Sequence, residues 1–243
     1  MSSEPLDTTL ALTDHRVRVR VSGYGPPLLL LNGVGAPLEL WAPLLRRLPG
    51  IRTISFDTPG SGGSPAPGVP LSIPGHARLA AQVLDRLGFG EVSVLGLSFG
   101  GMVAQELAHV SGRRIRRIVL CSTSCGWGAM PGSPDALLSI STPERYYSRE
   151  LSRPRSSPRP ARRGYLYQFW AAATWSSLPW LWQVGQPALV VTGDQDPLVP
   201  PVNAQILATM LPKARLHVVP GGGHLCVLDR AAEVAPRLLE FLR

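Results

Sequence analysis

Lysine is almost absent from this chain, whereas arginine is abundant. Lys213 is the single lysine, so arginine carries almost all of the net charge of +8. No nucleic-acid-binding motif accompanies that charge, and aromatic and basic residues do not interleave as stacking platforms would require. The composition therefore favours a solvated or anion-facing arginine surface, and we expect no nucleic-acid partner.

Cysteines, targeting segments and long apolar runs are also scarce or missing. The first ten residues are polar and acidic, unlike the basic start and apolar run of a signal peptide. No apolar run approaches the ~18 residues that a transmembrane helix needs. Cys121, Cys125 and Cys226 form an odd, sparse set without metal-ligand spacing, which suits a reducing compartment. We therefore expect a cytoplasmic protein with buried, inert thiols and no transmembrane segment.

Strand and helix patterns alternate along most of the 243 residues. Period-two alternation predicts an antiparallel hairpin over 8–12 and 17–21. The rest is typical of one α/β domain whose mostly parallel sheet is covered by helices on both faces. The predicted strands are 28–31, 52–56, 92–95, 117–122, 188–192 and 215–219. The predicted helices are 38–48, 73–87, 101–109, 201–210 and 231–242.

Residues 96–100 read Gly-Leu-Ser-Phe-Gly, a G-x-S-x-G motif between a predicted strand and a predicted helix. A strand that turns sharply into a helix through this pentapeptide is a nucleophile elbow. The glycines two positions either side of Ser98 avoid collisions with the strand and the helix. Ser98 is therefore the candidate nucleophile, and the alternative is a glycine-rich turn that merely contains a serine.

A serine hydroxyl is a weak nucleophile, so it needs a histidine base and a carboxylate that orients the histidine. His224 alone among the five histidines lies in a glycine-rich loop after the last predicted strand, at the edge where open α/β sheets form their sites. Two acids follow strand 188–192, and G-x-x-D spacing favours Asp196 over Asp194 as the catalytic acid. No cluster has metal-ligand spacing, so we expect neither metal nor cofactor.

Two earlier loops are expected to complete the site. Asn32-Gly33-Val34-Gly35 follows strand 28–31, where a second oxyanion donor is expected in folds with this elbow. We therefore predict that the backbone N–H groups of Val34 and Phe99 form an oxyanion hole, although an ordinary glycine-rich turn is the alternative. Asp57, which starts the loop 57–64, is expected to organise that loop rather than to act in catalysis.

Residues 123–186 interrupt the alternation of strands and helices. Arginine, proline and serine dominate 142–161, whereas tyrosine, phenylalanine and tryptophan are concentrated in 165–182. We predict that this cap segment (residues 123–186) covers the site on a core formed by 1–122 and 187–243. Its aromatic rings either pack the cap segment onto the sheet or line an apolar substrate tunnel, and both can hold for different rings.

With these residues in place, the chain resembles the α/β-hydrolase superfamily over nearly its whole length. Within the superfamily it is similar to intracellular medium-chain-length poly(3-hydroxyalkanoate) depolymerases. The stretches that carry the likeness are LNGVGA with LEL (31–36, 38–40), ISFDTPGSGGS (54–64), SFGG with AQ (98–101, 104–105), GDQDPLVP (193–200) and GHL (223–225). The resemblance implies an eight-stranded α/β-hydrolase fold and a Ser98–His224–Asp196 triad that cleaves polyester chains stored as granules. Phe99 stands where the family often has tryptophan, and the cap segment looks shortened around 148–163.

The expected function is therefore that of a serine hydrolase which cleaves carboxylic esters of 3-hydroxyalkanoate polymers or oligomers. One alternative is a hydrolase of small esters, lactones or thioesters in secondary metabolism. Another, of a different class, is a ligand-binding protein of the same fold without hydrolytic activity. The arginine-rich stretch 145–163 suggests association with a granule or membrane surface, whereas the simpler interpretation is a solvated loop.

Overall fold

The computed structural model describes residues 5–140 and 161–243. Its sheet has eight strands in the order β1-β2-β4-β3-β5-β6-β7-β8. The strands are β1 (Leu6–Ala11), β2 (Arg16–Ser22), β3 (Pro27–Leu31), β4 (Arg52–Phe56), β5 (Val92–Leu97), β6 (Ile115–Cys121), β7 (Ala188–Gly193) and β8 (Ala214–Val219). The β1–β2 and β2–β4 pairs are antiparallel, and the other five pairs are parallel. The predicted mostly parallel, eight-stranded α/β fold is confirmed.

Helices cover both faces of the sheet. The described helices are α1 (Ala42–Leu45), α2 (Ile73–Arg86), α3 (Phe99–Val110), α4 (Pro134–Ser139), α5 (Arg162–Ala173), α6 (Val202–Met210), α7 (Cys226–Asp229) and α8 (Ala231–Leu242). Buried residues of α2, α3 and α6 form one apolar cluster against the sheet, and those of α1, α7 and α8 form a second. Central strand β5 is buried at all six positions because both of its faces are covered.

The predicted helix over 38–48 is much shorter in the structure. A 3₁₀ turn (Leu38–Trp41) is followed by the single turn of α1. Hydrogen bonds between residues three apart dominate here, including Leu40 N–H to Pro37 O at 3.0 Å. The indole of Trp41 also donates to the side chain of Asn32. Contacts with a remote loop therefore override the helical pattern of this segment.

The chain leaves the sheet after β6 and returns to it at β7. Within this interval the structure describes α4, α5 and a 3₁₀ turn (Leu181–Gln183). Trp175 is buried after α5, and its indole Nε1 donates to Glu106 Oε2 of α3 at 2.8 Å. The end of α5 is thereby fixed near the helix that follows Ser98. No helix within the two described ranges is both long and apolar enough to cross a membrane.

Candidate active site

Ser98 lies at the junction of β5 and α3, in a strained backbone conformation. Its φ is 53° and its ψ is −117°, a region that residues with a side chain rarely adopt. A Cβ on Gly96 would lie 2.2 Å from the carbonyl oxygen of Gly100, and one on Gly100 would lie 2.0 Å from that of Leu31. The glycines of the motif are therefore required by close backbone packing, which presents the serine hydroxyl at the end of the strand.

His224 and Asp196 form a buried pair next to this turn. His224 Nδ1 lies 2.8 Å from Asp196 Oδ2, and both side chains are buried. The other carboxylate oxygen, Oδ1, accepts the backbone N–H groups of Leu198 and Val199, each at 2.9 Å. These contacts fix the carboxylate, which in turn favours the neutral tautomer with the proton on Nδ1 and with Nε2 as the basic nitrogen.

The neighbouring acid and two of the other histidines have different surroundings. Asp194 is exposed, and its Oδ1 accepts the N–H of Gly221 at 2.7 Å, which closes the loop after β7. The ring of His76 packs edge-on against Phe99, and burial lowers the pKa of His76 to about 3. His109 stacks on Trp180 with ring centroids 4.2 Å apart. The imidazole that contacts Asp196 is thus that of His224.

Ser98 and His224 line one pocket together with Val34 and Phe99. Its volume is about 160 Å³. The rest of its described lining is Gly33, Leu97, Met102, Leu137, Ile140, Tyr165, Phe169, Ala172, Leu198, Val199 and Leu225. Five of these, beginning with Leu137, lie on or near α4 and α5 in the cap segment. None of the described lining residues is an acid, a lysine or an arginine. An apolar pocket beside a serine hydroxyl and an imidazole suits an aliphatic acyl group.

The loop after β3 forms a tight turn beside the pocket. The N–H of Ala36 donates to the carbonyl of Gly33 at 3.2 Å, and Gly35 has a φ of 66°. Such a turn needs a glycine at this third position. The side-chain amide of Asn32 donates to Ala36 O at 3.0 Å, so Asn32 braces the turn that contains Val34.

Asp57 organises two loops, and its described hydrogen bonds do not involve the His224–Asp196 pair. Its Oδ1 accepts the N–H of Leu38 at 2.7 Å and its Oδ2 that of Gly63 at 2.8 Å. Complete burial raises the pKa of Asp57 to about 6, although the two backbone hydrogen bonds oppose the rise. The carboxylate thus joins the start of the 38–41 turn to the loop 57–64.

Gln168 is a polar residue of this region that the sequence analysis did not single out. It is fully buried on α5, and its Oε1 accepts the N–H of Gly35 at 2.8 Å. Its Nε2 donates to Pro59 O at 3.2 Å and to Ser61 Oγ at 3.0 Å. The available signal was one amide in an aromatic-rich stretch, four residues after Gly164.

Within residues 5–140 and 161–243, no group of three or more His, Cys, Asp or Glu side chains is arranged to hold a metal ion.

Comparison with known proteins gives concordant results. Residues 28–237 match the sequence profile of the "Alpha/beta hydrolase family". The chain is 37% identical to a poly(3-hydroxyalkanoate) depolymerase from Ectopseudomonas oleovorans, over 97% of this chain and 92% of that protein. Its fold matches the enol-lactonase from Burkholderia xenovorans LB400 with a TM-score of 0.85 and 26% identity, covering 97% and 99% of the two chains. It also matches a hydrolase from Pseudomonas aeruginosa PA01 with a TM-score of 0.83 and 26% identity, covering 97% and 98%.

Proposed function

This chain belongs to the alpha/beta hydrolase family and is an ester hydrolase, and we propose that Ser98, His224 and Asp196 are its catalytic triad. The observation that carries the proposal is the buried His224–Asp196 pair at 2.8 Å, in one pocket with a serine on a strained strand–helix turn. A base oriented by a fixed carboxylate beside a hydroxyl is the arrangement that acyl transfer requires.

In the proposed mechanism Ser98 Oγ attacks the ester carbonyl carbon while His224 Nε2 accepts the hydroxyl proton. The carbonyl oxygen becomes an oxyanion, which the backbone N–H groups of Val34 and Phe99 stabilise. One such donor is typically worth about 2.7–4 kcal/mol. The intermediate collapses as His224 donates its proton to the leaving alcohol, and an acyl-enzyme remains. Water, deprotonated by His224, then releases the acid and regenerates Ser98.

The pocket supports an aliphatic acyl substrate of medium length. At about 160 Å³ it resembles the ~150 Å³ apolar cavity known to accommodate a benzene ring. A 3-hydroxyalkanoate unit presents an ester carbonyl and an alkyl side chain of this size. The named depolymerase at 37% identity supports the same class, so we propose polymers or oligomers of 3-hydroxyalkanoates as substrates.

We also propose that the cap segment covers the site, since Tyr165, Phe169 and Ala172 contribute to the pocket. A granule surface is the physical form that such a polymer substrate would take. The arginine-rich stretch of the sequence analysis falls almost wholly on residues 145–160, outside the described residues.

Soluble esters or lactones are the second candidate substrates. The observation that favours them is the similarity of the whole fold to an enol-lactonase. A small lactone would fit the same pocket and would be opened by the same triad.

The experiment compares wild type, Ser98→Ala and Ser111→Ala on p-nitrophenyl octanoate and on amorphous poly(3-hydroxyoctanoate) granules. We expect wild type and Ser111→Ala, a control at the end of α3, to give a p-nitrophenol burst and to release 3-hydroxyoctanoic acid. Ser98→Ala should do neither. Turnover that survives Ser98→Ala would refute the triad, and hydrolysis of soluble esters without acid release from granules would establish the second candidate.

A further inference from the structure

Helix α5 contacts the site through two adjacent faces. Tyr165, Phe169 and Ala172 line the pocket. Ala161 at the N-cap, Gly164 and Gln168 contact the loops that follow β3 and β4. Within each set the residues are three or four apart, which places them on one side of a helix. A single rigid element therefore contacts both the acyl pocket and its supporting loops.

The second face begins with a backbone-to-backbone contact. The N–H of Ala161 donates to Gly60 O at 2.9 Å. A Cβ added to Gly164 would lie 2.4 Å from Gly60 Cα, and Gly60 itself has a φ of 89°. Only glycines allow this approach, so α5 is fixed against the 57–64 loop at its first turn.

One helical turn further along α5, the side chain of Gln168 makes hydrogen bonds with three groups in two loops. Its amide oxygen accepts from Gly35 N–H, while its amide nitrogen donates to Pro59 O and Ser61 Oγ. The side chain thus uses an acceptor and two donors at once, which its carboxamide supplies and an apolar side chain does not. Since Gln168 is completely buried, water cannot replace these hydrogen bonds cheaply.

The contact with Gly35 bears directly on Val34. The turn that contains Val34 is braced on one side by Asn32, whose amide donates to Ala36 O at 3.0 Å. On the other side it is braced by Gln168, through Gly35. Transition-state stabilisation by an N–H donor depends on its alignment within fractions of an ångström.

We propose that Gln168 is a positioning residue that aligns the backbone N–H of Val34 for the oxyanion and so couples the position of α5 to catalysis. The inference rests on the proposed function. Because the same helix lines the acyl pocket, contacts of the acyl chain with α5 and stabilisation of the oxyanion depend on one element. Gln168 is not among the described residues that line the pocket, so it would act through Gly35 and Val34.

The test compares Gln168→Leu, Gln168→Glu and a matched control, Gln105→Leu. Gln105 is also a completely buried glutamine that joins the core to the cap segment, since its Nε2 donates to Ser124 O and its Oε1 accepts from Ser177 Oγ. The hydrogen bonds described for its side chain join it to Gly101, Ser124 and Ser177, all outside the turn 33–36. Both leucine variants should therefore lose similar thermal stability, measured by circular dichroism, while differing in kinetics.

On p-nitrophenyl octanoate we expect Gln168→Leu to lower kcat about 10- to 100-fold with KM within about twofold, the signature of a lost transition-state interaction. Gln168→Glu keeps an acceptor for Gly35 N–H and should retain kcat within about threefold, even where its Tm falls. Gln105→Leu should retain kcat at temperatures where it is folded. Phenylboronic acid, whose tetrahedral adduct needs the oxyanion donors, should bind Gln168→Leu more weakly in parallel with kcat.

Full kcat in Gln168→Leu, or equal losses of kcat in Gln168→Leu and Gln105→Leu, would overturn the inference. If Gln168→Leu does not fold, Gln168→Glu decides alone, because a folded variant with an acceptor and a collapsed kcat contradicts the proposal. The Ser98→Ala variant distinguishes failure of the proposed function from failure of the positioning role alone. An active Ser98→Ala refutes the proposed function, whereas an inactive Ser98→Ala with a fully active Gln168→Leu refutes only the positioning role.

Discussion

Two carboxylates two residues apart have opposite surroundings in the loop after β7. Asp196 is buried, and its two oxygens contact His224 and a pair of backbone N–H groups. Asp194 is exposed and accepts one backbone N–H, from Gly221. The surroundings, rather than the chemistry of the side chain, therefore separate a candidate orienting acid from a loop-closing one.

Replacing Asp196 by asparagine tests that separation. The amide would no longer favour the Nδ1-protonated tautomer of His224 or stabilise its protonated form, so we expect kcat to fall about 10⁴-fold, as for the corresponding change in serine proteases. Asp194→Asn keeps an acceptor for Gly221 N–H and should keep kcat within about threefold. Steady-state hydrolysis of p-nitrophenyl octanoate checks both. Equal losses of kcat in the two variants would show that Asp196 is not the acid that orients His224.

At the scale of elements, local patterns predicted the core and missed the helix that contacts the site. Strand β4 and helix α8 begin and end where period and apolar spacing indicate them. G-x-x-D spacing singled out Asp196, the acid that contacts His224 in the structure. Helix α5 was not predicted, because its partners at Gly35 and Gly60 are more than 100 positions away in the chain. Contacts between residues so far apart in the chain produce no periodic residue pattern from which a helix could be predicted.

The contact of α5 with Gly60 gives a prediction with a close internal control. Gly164 and Gly75 both occupy the third position of a helix. A Cβ at Gly164 would meet the backbone of Gly60 at 2.4 Å, whereas at Gly75 its nearest neighbour is a side-chain atom of Leu71 at 3.3 Å. Backbone cannot move aside as a side chain can. We therefore expect Gly164→Ala to destabilise the protein and Gly75→Ala to be neutral or stabilising by up to about 1 kcal/mol.

Urea unfolding followed by fluorescence measures both free energies. Gly164→Ala should also lower kcat, since α5 would shift relative to the 57–64 loop while the core remained folded. A Gly164→Ala variant as stable and as active as Gly75→Ala would show that this glycine contact does not position the helix.

At the scale of the whole molecule, the two apolar layers also enclose titratable groups with opposite effects on stability. Burial raises the pKa of Asp57 from 3.8 to about 6, so the stability it contributes is present at low pH and is lost as pH rises through this interval. Burial lowers the pKa of His76 from 6.5 to about 3, so its contribution is present above pH 6.5 and is lost as pH falls. Between about pH 4 and 6 the two groups therefore change the free energy of unfolding in opposite directions as the pH changes.

Replacing His76 by leucine should therefore remove its contribution to the pH dependence of the free energy of unfolding. Each pH unit within the interval corresponds to about 1.4 kcal/mol, so between pH 7.5 and 5.0 the imidazole removes about 2 kcal/mol of unfolding free energy from wild type. His76→Leu should lose about 2 kcal/mol less free energy of unfolding than wild type over the same pH change, whatever its stability at pH 7.5.

Ile73→Val, at a buried position of the same helix, is the control. It alters packing without adding or removing a titratable group and should lose as much free energy of unfolding as wild type. Urea titrations of the three proteins at both pH values measure the difference, and parallel losses in all three would contradict a neutral, buried His76.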